Sequence, residues 1–142
     1  MMLKIVSGRS GSGKSVALRV LEDLGYYCVD NLPVNLLRDF VVSQDDADAK
    51  IAVSLDIRNL PNAKEPIADS LAALRQVCDV TLYYLDADDK DLIKRFSETR
   101  RLHPLSRHNL SLEQAIQAEK QQMAPIKAHA DRVINTSGLS IH

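Results

Sequence analysis

Short apolar runs with β-strand character alternate along the chain with longer segments whose apolar residues recur every three or four positions. This alternation predicts strands separated by helices, because side chains repeat every two residues in a strand and every 3.6 residues in a helix. The predicted strands are residues 3–6, 26–29, 51–55, 80–85 and 132–135. Strands separated by helices pair in parallel through right-handed crossovers. The pattern therefore predicts a three-layer α/β fold, with a five-stranded parallel sheet and helices on both faces.

Local sequence signals mark the ends of the predicted helices. Gly25 stands where the C-terminal cap of the first helix belongs. Ser111 and Gln114 have the spacing of a capping box at the start of the last helix. Pro125 is expected to end or kink that helix near Met123, because proline lacks the N–H group that the helix needs.

The composition is that of one globular domain spanning residues 1–142. Hydrophobic residues make up 45% of the chain and charged residues 26%, which argues against disorder. Cys28 and Cys78 lie far apart in sequence, so two reduced thiols are expected rather than a disulfide framework or a zinc site. No apolar run reaches the length of a membrane span, and the N-terminus lacks the features of a signal peptide. We therefore expect a cytoplasmic protein with no membrane partner.

Charge and aromatic content argue against nucleic-acid binding by this stretch of chain. The formal net charge is -1, so no overall positive field attracts a phosphate backbone. Aromatic residues make up 4% of the chain and tryptophan is absent, which makes a platform for stacking bases improbable.

A phosphate-binding loop is the strongest chemical signal in the sequence. Residues 8–15 match G-x-x-x-x-G-K-[ST] at every fixed position, between a predicted strand and a predicted helix. A glycine- and serine-rich linker could match by chance, but the flanking elements favour a nucleotide site, in which backbone N–H groups and the helix N-terminus converge on phosphate. Lys14 would reach the β- and γ-phosphates, and the Ser15 hydroxyl would bind Mg²⁺. The predicted nucleotide-binding residues of this loop are Gly8, Arg9, Ser10, Gly11, Ser12, Gly13, Lys14 and Ser15.

Three aspartates compete for the role of second Mg²⁺ ligand. Asp56 follows the apolar run 51–55, as the carboxylate of a Walker B strand does. Asp30 and Asp86 also end apolar strands, and aspartate is common in ordinary strand-end turns. By analogy with P-loop kinases, in which the Walker B strand is usually the third and lies beside the loop strand, Asp56 is favoured. The pattern alone does not choose among the three.

A cluster of basic residues follows the fourth strand. It comprises Arg95, Arg100, Arg101, His103 and Arg107, on a predicted helix end and loop. Such groups can close over a nucleotide as a lid and stabilise a transferring phosphate. A solvated basic helix end, favoured by the helix dipole, explains them equally well, and contact with an RNA backbone is a third reading. The lid candidates are Arg95, Arg100 and Arg101.

Several segments together resemble the N-terminal domain of the RNase adapter protein RapZ family of P-loop nucleotide-binding proteins. They are IVSGRSGSGKSVAL, GYYCVDNLP, SLDIRN, LDADDKDLIKRFSETRRLHPLS and DRVINTS, and the resemblance covers nearly the whole chain. It implies a kinase-like P-loop domain that binds ATP and GTP with at most weak hydrolysis. The ATP site maps onto residues 8–15. The GTP site maps onto Asp56, Ile57, Arg58 and Asn59, which competes with the Walker B interpretation of Asp56.

The resemblance also implies a regulatory role for the longer protein. In the enterobacterial branch, such proteins present a small regulatory RNA to RNase E and so couple glucosamine-6-phosphate supply to gene expression. A C-terminal domain, which this sequence lacks, is responsible for the recognition of RNA and metabolite. RNA and RNase E are therefore expected partners of the full-length homo-oligomer and not of this chain alone, which resembles a truncated form.

A small-molecule phosphotransferase is the alternative function. A kinase-like fold and lid arginines suit such an enzyme, and Asp30 could act as a base toward an acceptor hydroxyl. The candidate catalytic residues are Lys14, Asp56 and Asp30.

Overall fold

A computed structural model describes residues 1–9, 11–30, 32, 34–44, 48–55, 67–99 and 111–137. Strands and helices alternate through these residues, as the hydrophobic pattern predicts. In chain order they are β1 (Met2–Gly8), α1 (Lys14–Asp23), β2 (Tyr27–Val29), α2 (Val34–Val42), β3 (Lys50–Ser54), α3 (Ile67–Arg75), β4 (Asp79–Asp86), α4 (Asp89–Thr99), α5 (Leu112–Ala128) and β5 (Arg132–Asn135).

The strands form one parallel sheet in the order β2-β3-β1-β4-β5. Strand β1 lies at the centre, where Ile5 is paired with Val53 of β3 and Leu82 of β4. Because all strands run the same way, their carboxyl ends meet at one edge of the sheet. The prediction of a five-stranded parallel sheet is confirmed.

Both faces of the sheet are covered, as expected for a parallel sheet. On one face, Leu18 of α1 packs with Val6, Ala52 and Leu85. On the opposite face, a larger core joins the sheet to α2, α3 and α5, with Leu37, Leu71 and Met123 among the buried residues. Leu3 and Ile5 of β1 pack into the larger core and Val6 into the other, because strand side chains alternate between the two faces of a sheet. Burial on both sides holds β1, and the loop that follows it, in a fixed place.

Helix ends follow the local signals with one exception. Gly25, at φ 95°, ends α1 in a Schellman arrangement, in which Tyr26 N–H donates to the Leu21 carbonyl at 3.0 Å. Ser111 and Gln114 form the predicted capping box of α5.

Of the two outcomes expected at Pro125, an end of the last helix near Met123 is wrong, since α5 continues to Ala128, whereas a kink stays a prediction. Pro125 lies on the exposed side of this helix. Met123 and Ile126, which flank it, are buried against the sheet. Packing of this apolar face outweighs the one hydrogen bond that proline removes.

None of the helices in the described part of the chain combines the length and the hydrophobicity that a membrane span requires.

Candidate functional site

The candidate site is the loop that leads from β1 into α1 at the carboxyl edge of the sheet. Gly8, Gly11 and Gly13 have φ values of 152°, 85° and 106°. Residues with a Cβ rarely adopt such values, so glycine at these positions allows the tight reversal between strand and helix. Ser10 lies outside the described residues.

Gly8 and Gly11 also bring the loop into close contact with its neighbours. A Cβ added at Gly8 would lie 2.1 Å from the Leu85 carbonyl oxygen of β4. A Cβ added at Gly11 would lie 3.2 Å from Cε2 of Phe96 on α4. At these two glycines the loop backbone therefore rests directly on β4 and α4.

The start of α1 provides donors and positive charge. Gly13 is the N-cap residue, and among the described residues no side chain caps this helix end. The first N–H groups of a helix have no acceptor within the helix and carry partial positive charge. Lys14 donates from Nζ to the Gly8 carbonyl oxygen at 2.9 Å, which places its ammonium group over the loop. The Ser15 side chain is exposed at the same helix end.

Ser12 contributes a buried hydroxyl to the inside of the loop. The residue has 0% exposure, and its Oγ has no hydrogen-bond partner among the described residues. Unpaired buried polar atoms are rare in folded proteins. This orphaned atom, the glycine bends and the uncapped helix end together fit a ligand with several acceptor oxygens, such as a phosphate group.

Arg9 is the one charged side chain that is buried within the loop, at 2% exposure. Its guanidinium group donates to the Asp86 carboxylate at 2.9 Å, the Asp89 carboxylate at 2.7 Å and the Ala87 carbonyl at 2.7 Å. The Arg9 side chain thus points into the junction of β4 and α4, and only its backbone remains with the rest of the loop.

Asp86 is fully engaged by protein groups. One carboxylate oxygen accepts from Arg9 and from Ala87 N–H, and the other lies 3.2 Å from Lys127 Nζ. Burial by itself raises the pKa of this carboxyl, but the Ala87 and Arg9 hydrogen bonds outweigh that effect and hold the pKa below its ordinary value of 3.8. Asp86 is therefore a structural partner of Arg9 and a poor candidate for Mg²⁺.

The other two aspartates differ in how far the structure describes them. Asp30 is exposed after the edge strand β2 and accepts a hydrogen bond from Ser54 at the end of β3. Asp56 lies outside the described residues, as do the other three residues of the predicted GTP segment. The Walker B assignment of Asp56 stays a prediction.

Arg95 is the one lid candidate within the described residues, whereas Arg100 and Arg101 lie outside them. Its Nη1 donates to the Gly11 carbonyl at 2.7 Å and to Thr136 Oγ1 at 3.3 Å. Thr136, just after β5, also has its Oγ1 3.0 Å from the Ser12 carbonyl oxygen. These two side chains hold the outer part of the loop from α4 and from the end of β5.

A sequence profile of the RapZ-like N-terminal domain matches residues 1–142. The chain belongs to the RapZ-like N-terminal domain family.

Relatives of this RapZ-like domain are about twice as long as the chain. It is 60% identical over 142 residues to a nucleotide-binding protein of Colwellia psychrerythraea, with 100% of the chain and 50% of the relative covered. It is 57% identical over 144 residues to a nucleotide-binding protein of Vibrio parahaemolyticus, with the same 100% and 50% coverage. The chain therefore spans about half the length of the curated relatives it matches.

Solved structures of P-loop kinases share the fold of the RapZ-like domain. A sugar kinase from Janibacter superposes with a TM-score of 0.63 at 16% identity, covering 95% of this chain and 85% of the kinase. Shikimate kinase from Bacteroides thetaiotaomicron gives a TM-score of 0.61 at 12% identity, covering 94% and 86%. At such identities the similarity establishes the kinase-like fold alone.

Sequence reasoning assigned no anchoring role to two residues that hold the loop of this RapZ-like domain, and it predicted Arg9 only as a nucleotide-binding residue. Thr136 lies in the segment DRVINTS, which carries part of the family resemblance but predicts no role for this side chain. Arg9 occupies a variable position of the loop motif, so the motif says nothing about its side chain. An arginine among glycines and serines was a signal, but its acidic partners lie 77 and 80 positions away in sequence.

Proposed function

We propose that this domain binds the phosphates of ATP or GTP with Mg²⁺ in the loop formed by residues 8–15. The observation that carries the proposal is the loop itself, in which three glycines with positive φ, an uncapped helix start and the buried Ser12 hydroxyl surround one small region. Backbone N–H groups arranged in this way bind anions without any other charged group. Lys14 adds a positive charge that can move from the Gly8 carbonyl to a phosphate oxygen.

Mg²⁺ fits the oxygen donors near the start of α1. The exposed Ser15 hydroxyl would be one ligand, and Asp56, which follows β3 in the sequence, would be the carboxylate. Because Asp86 is held by Arg9 and Lys127, it no longer competes with Asp56 for this role. The ion would neutralise phosphate charge when bound.

We further propose that the domain acts as a regulatory nucleotide-binding module of a longer cytoplasmic protein. Family membership and the half-length match to longer nucleotide-binding proteins support this proposal. In such a module, nucleotide occupancy would set the arrangement of domains or subunits, with weak hydrolysis at most. The presentation of a small RNA to RNase E, and with it the control of amino-sugar synthesis, would belong to the full-length homo-oligomer.

Replacing Lys14 by alanine tests the nucleotide site. Loss of a charge-assisted contact worth about 1.5–3 kcal/mol should weaken binding of Mg-ATP and Mg-GTP about 10- to 150-fold in calorimetry. Lys50→Ala is the matched control, because Lys50 is exposed at the start of β3, on the opposite edge of the sheet. Equal affinities of the wild-type and Lys14→Ala proteins would refute the assignment of the loop.

A phosphotransferase is the second candidate, and Asp30 is the observation that favours it. This exposed carboxylate lies at the same edge of the sheet as the loop and is oriented by Ser54, as a base acting on an acceptor hydroxyl would need to be. Turnover that is stimulated by an acceptor and is lost in Asp30→Asn would establish this activity. Slow turnover that no sugar or other alcohol stimulates would favour the regulatory module.

A further inference from the structure

The Arg9 side chain joins the phosphate loop to two other elements through a buried set of contacts. Arg9 Nε and Nη1 donate to carboxylates at the end of β4 and the start of α4, Asp86 at 2.9 Å and Asp89 at 2.7 Å. Nη2 donates to the Ala87 carbonyl at 2.7 Å. We propose that Arg9 is a positioning residue, which fixes the loop backbone in its phosphate-binding conformation without contacting the nucleotide.

The geometry requires a guanidinium group. Each of the three nitrogens of the planar guanidinium group donates to a different acceptor. The ammonium group of a lysine instead carries its charge and its donors on one nitrogen. The Arg9 side chain is 2% exposed and that of Asp86 13%, so this pair is largely shielded from water, whereas Asp89 is 35% exposed. A lysine at this position would retain the charge but lose the simultaneous contacts.

The side chain of Arg9 controls the loop because its backbone belongs to the loop turn. The Arg9 carbonyl accepts the Ser12 N–H at 3.1 Å, which closes the turn. Gly8, immediately before it, lies against Leu85, so the backbone is fixed on both sides of Arg9. Moving the guanidinium group would therefore move the turn and the buried Ser12 hydroxyl with it.

The network also extends to α5, the helix that precedes β5. Lys127 lies 3.2 Å from the second Asp86 oxygen, and Gln117 donates to the second Asp89 oxygen. Each carboxylate that binds Arg9 is thus held from a second side. Such support keeps the partners of Arg9 in place while the loop binds or releases a ligand.

The decisive comparison is between Arg9→Lys and Arg75→Lys. Arg75 also pairs with an aspartate, Asp131 at 3.1 Å, but this pair is exposed and lies between α3 and the start of β5. Amide hydrogen exchange in the nucleotide-free protein reports the order of the loop, and calorimetry with Mg-ATP reports its affinity. We expect Arg9→Lys to raise exchange of the Ser12 N–H, which donates to the Arg9 carbonyl, at least tenfold and to weaken Mg-ATP binding at least tenfold. Arg75→Lys should change neither.

Asp89→Asn keeps the experiment informative if Arg9→Lys does not fold. It removes charge from the more exposed partner, which is 35% exposed, and leaves the Arg9–Asp86 pair intact. Amide hydrogen exchange of the loop should then rise about threefold, and the affinity for Mg-ATP should fall. Unchanged loop exchange in both variants, or faster exchange with full affinity, would overturn the proposal.

The affinity measurement rests on the nucleotide-binding function proposed above, whereas the exchange measurement does not. A wild-type chain that binds neither Mg-ATP nor Mg-GTP would refute that function. The exchange result alone would then support or overturn the role of Arg9 in positioning the loop.

Discussion

At the residue scale, neighbouring residues of the phosphate loop have different structural roles. Gly8 allows close approach to β4, because no Cβ stands between its backbone and the Leu85 carbonyl. Arg9, next in sequence, has a buried side chain whose ion pairs tie the loop to β4 and α4. Ser12 leaves a buried hydroxyl without a partner among the described residues. The loop thus combines a backbone that is held in place with N–H and O–H donors that can bind the oxygens of a ligand.

Comparison of Gly8→Ala with Gly25→Ala tests the close approach of the loop to β4. Both glycines have positive φ, 152° and 95°, so each alanine incurs a conformational cost of about 1–2 kcal/mol. A Cβ at Gly8 would also lie 2.1 Å from the Leu85 carbonyl, whereas a Cβ at Gly25 would meet nothing within 4 Å. We expect Gly8→Ala to lower the free energy of unfolding in urea by at least about 2 kcal/mol more than Gly25→Ala. Equal losses would mean that the loop does not rest on β4.

At the element scale, the end of β4 is the junction that holds the site together. Asp86 closes this strand and binds Arg9 of the loop and Lys127 of α5. Asp89 begins α4 and binds the same arginine. Thr136, after β5, donates from its backbone N–H to the Asp86 carbonyl at 2.7 Å. Strand β4 therefore binds the phosphate loop, α5 and the end of β5 at one strand end.

The free energy of unfolding should fall at acid pH because Asp86, at the centre of this junction, becomes protonated. Because the folded-state pKa of Asp86 is held below 3.8, its ionised form stabilises the fold above that value, and the contribution is lost as pH falls through the lowered pKa. Asp86→Asn should cost about 3 kcal/mol in the free energy of unfolding at neutral pH, since it leaves the buried Arg9 poorly compensated. The difference from wild type should shrink below about pH 4.

Urea unfolding of both proteins from pH 7 to pH 3 measures this difference. Glu98→Gln is the control, because its pair with Lys94 is 3.9 Å long and exposed on α4. That variant should stay close to wild type throughout. A loss in Asp86→Asn that is independent of pH would show that charge is not the source of the effect.

At the scale of the whole molecule, net charge and chain length indicate which ligands the domain can bind by itself. The formal net charge is -1 and aromatic residues make up 4% of the chain. The family to which the chain belongs includes proteins about twice as long. A nucleotide site can be complete within one domain, whereas RNA recognition needs a basic or aromatic surface that this composition does not favour.

We expect this chain to bind small RNA weakly. In a gel-shift assay at physiological salt, the apparent Kd for a structured small RNA should be weaker than about 1 µM, in the range of non-specific binding. The full-length relative from Vibrio parahaemolyticus serves as the comparison. A tight, sequence-dependent shift by this chain would contradict the expectation.

The sequence by itself determined the alternation of strands and helices, the parallel sheet and the position of the phosphate loop. These features depend on residues close together in sequence, such as the run 8–15 or the Ser111–Gln114 capping box. Tertiary structure decided the strand order β2-β3-β1-β4-β5, the continuation of α5 through Pro125 and the pairing of Arg9 with Asp86. Each of these depends on contacts between residues far apart in the chain. Packing and burial select such contacts only when the whole domain is assembled, so no local pattern records them.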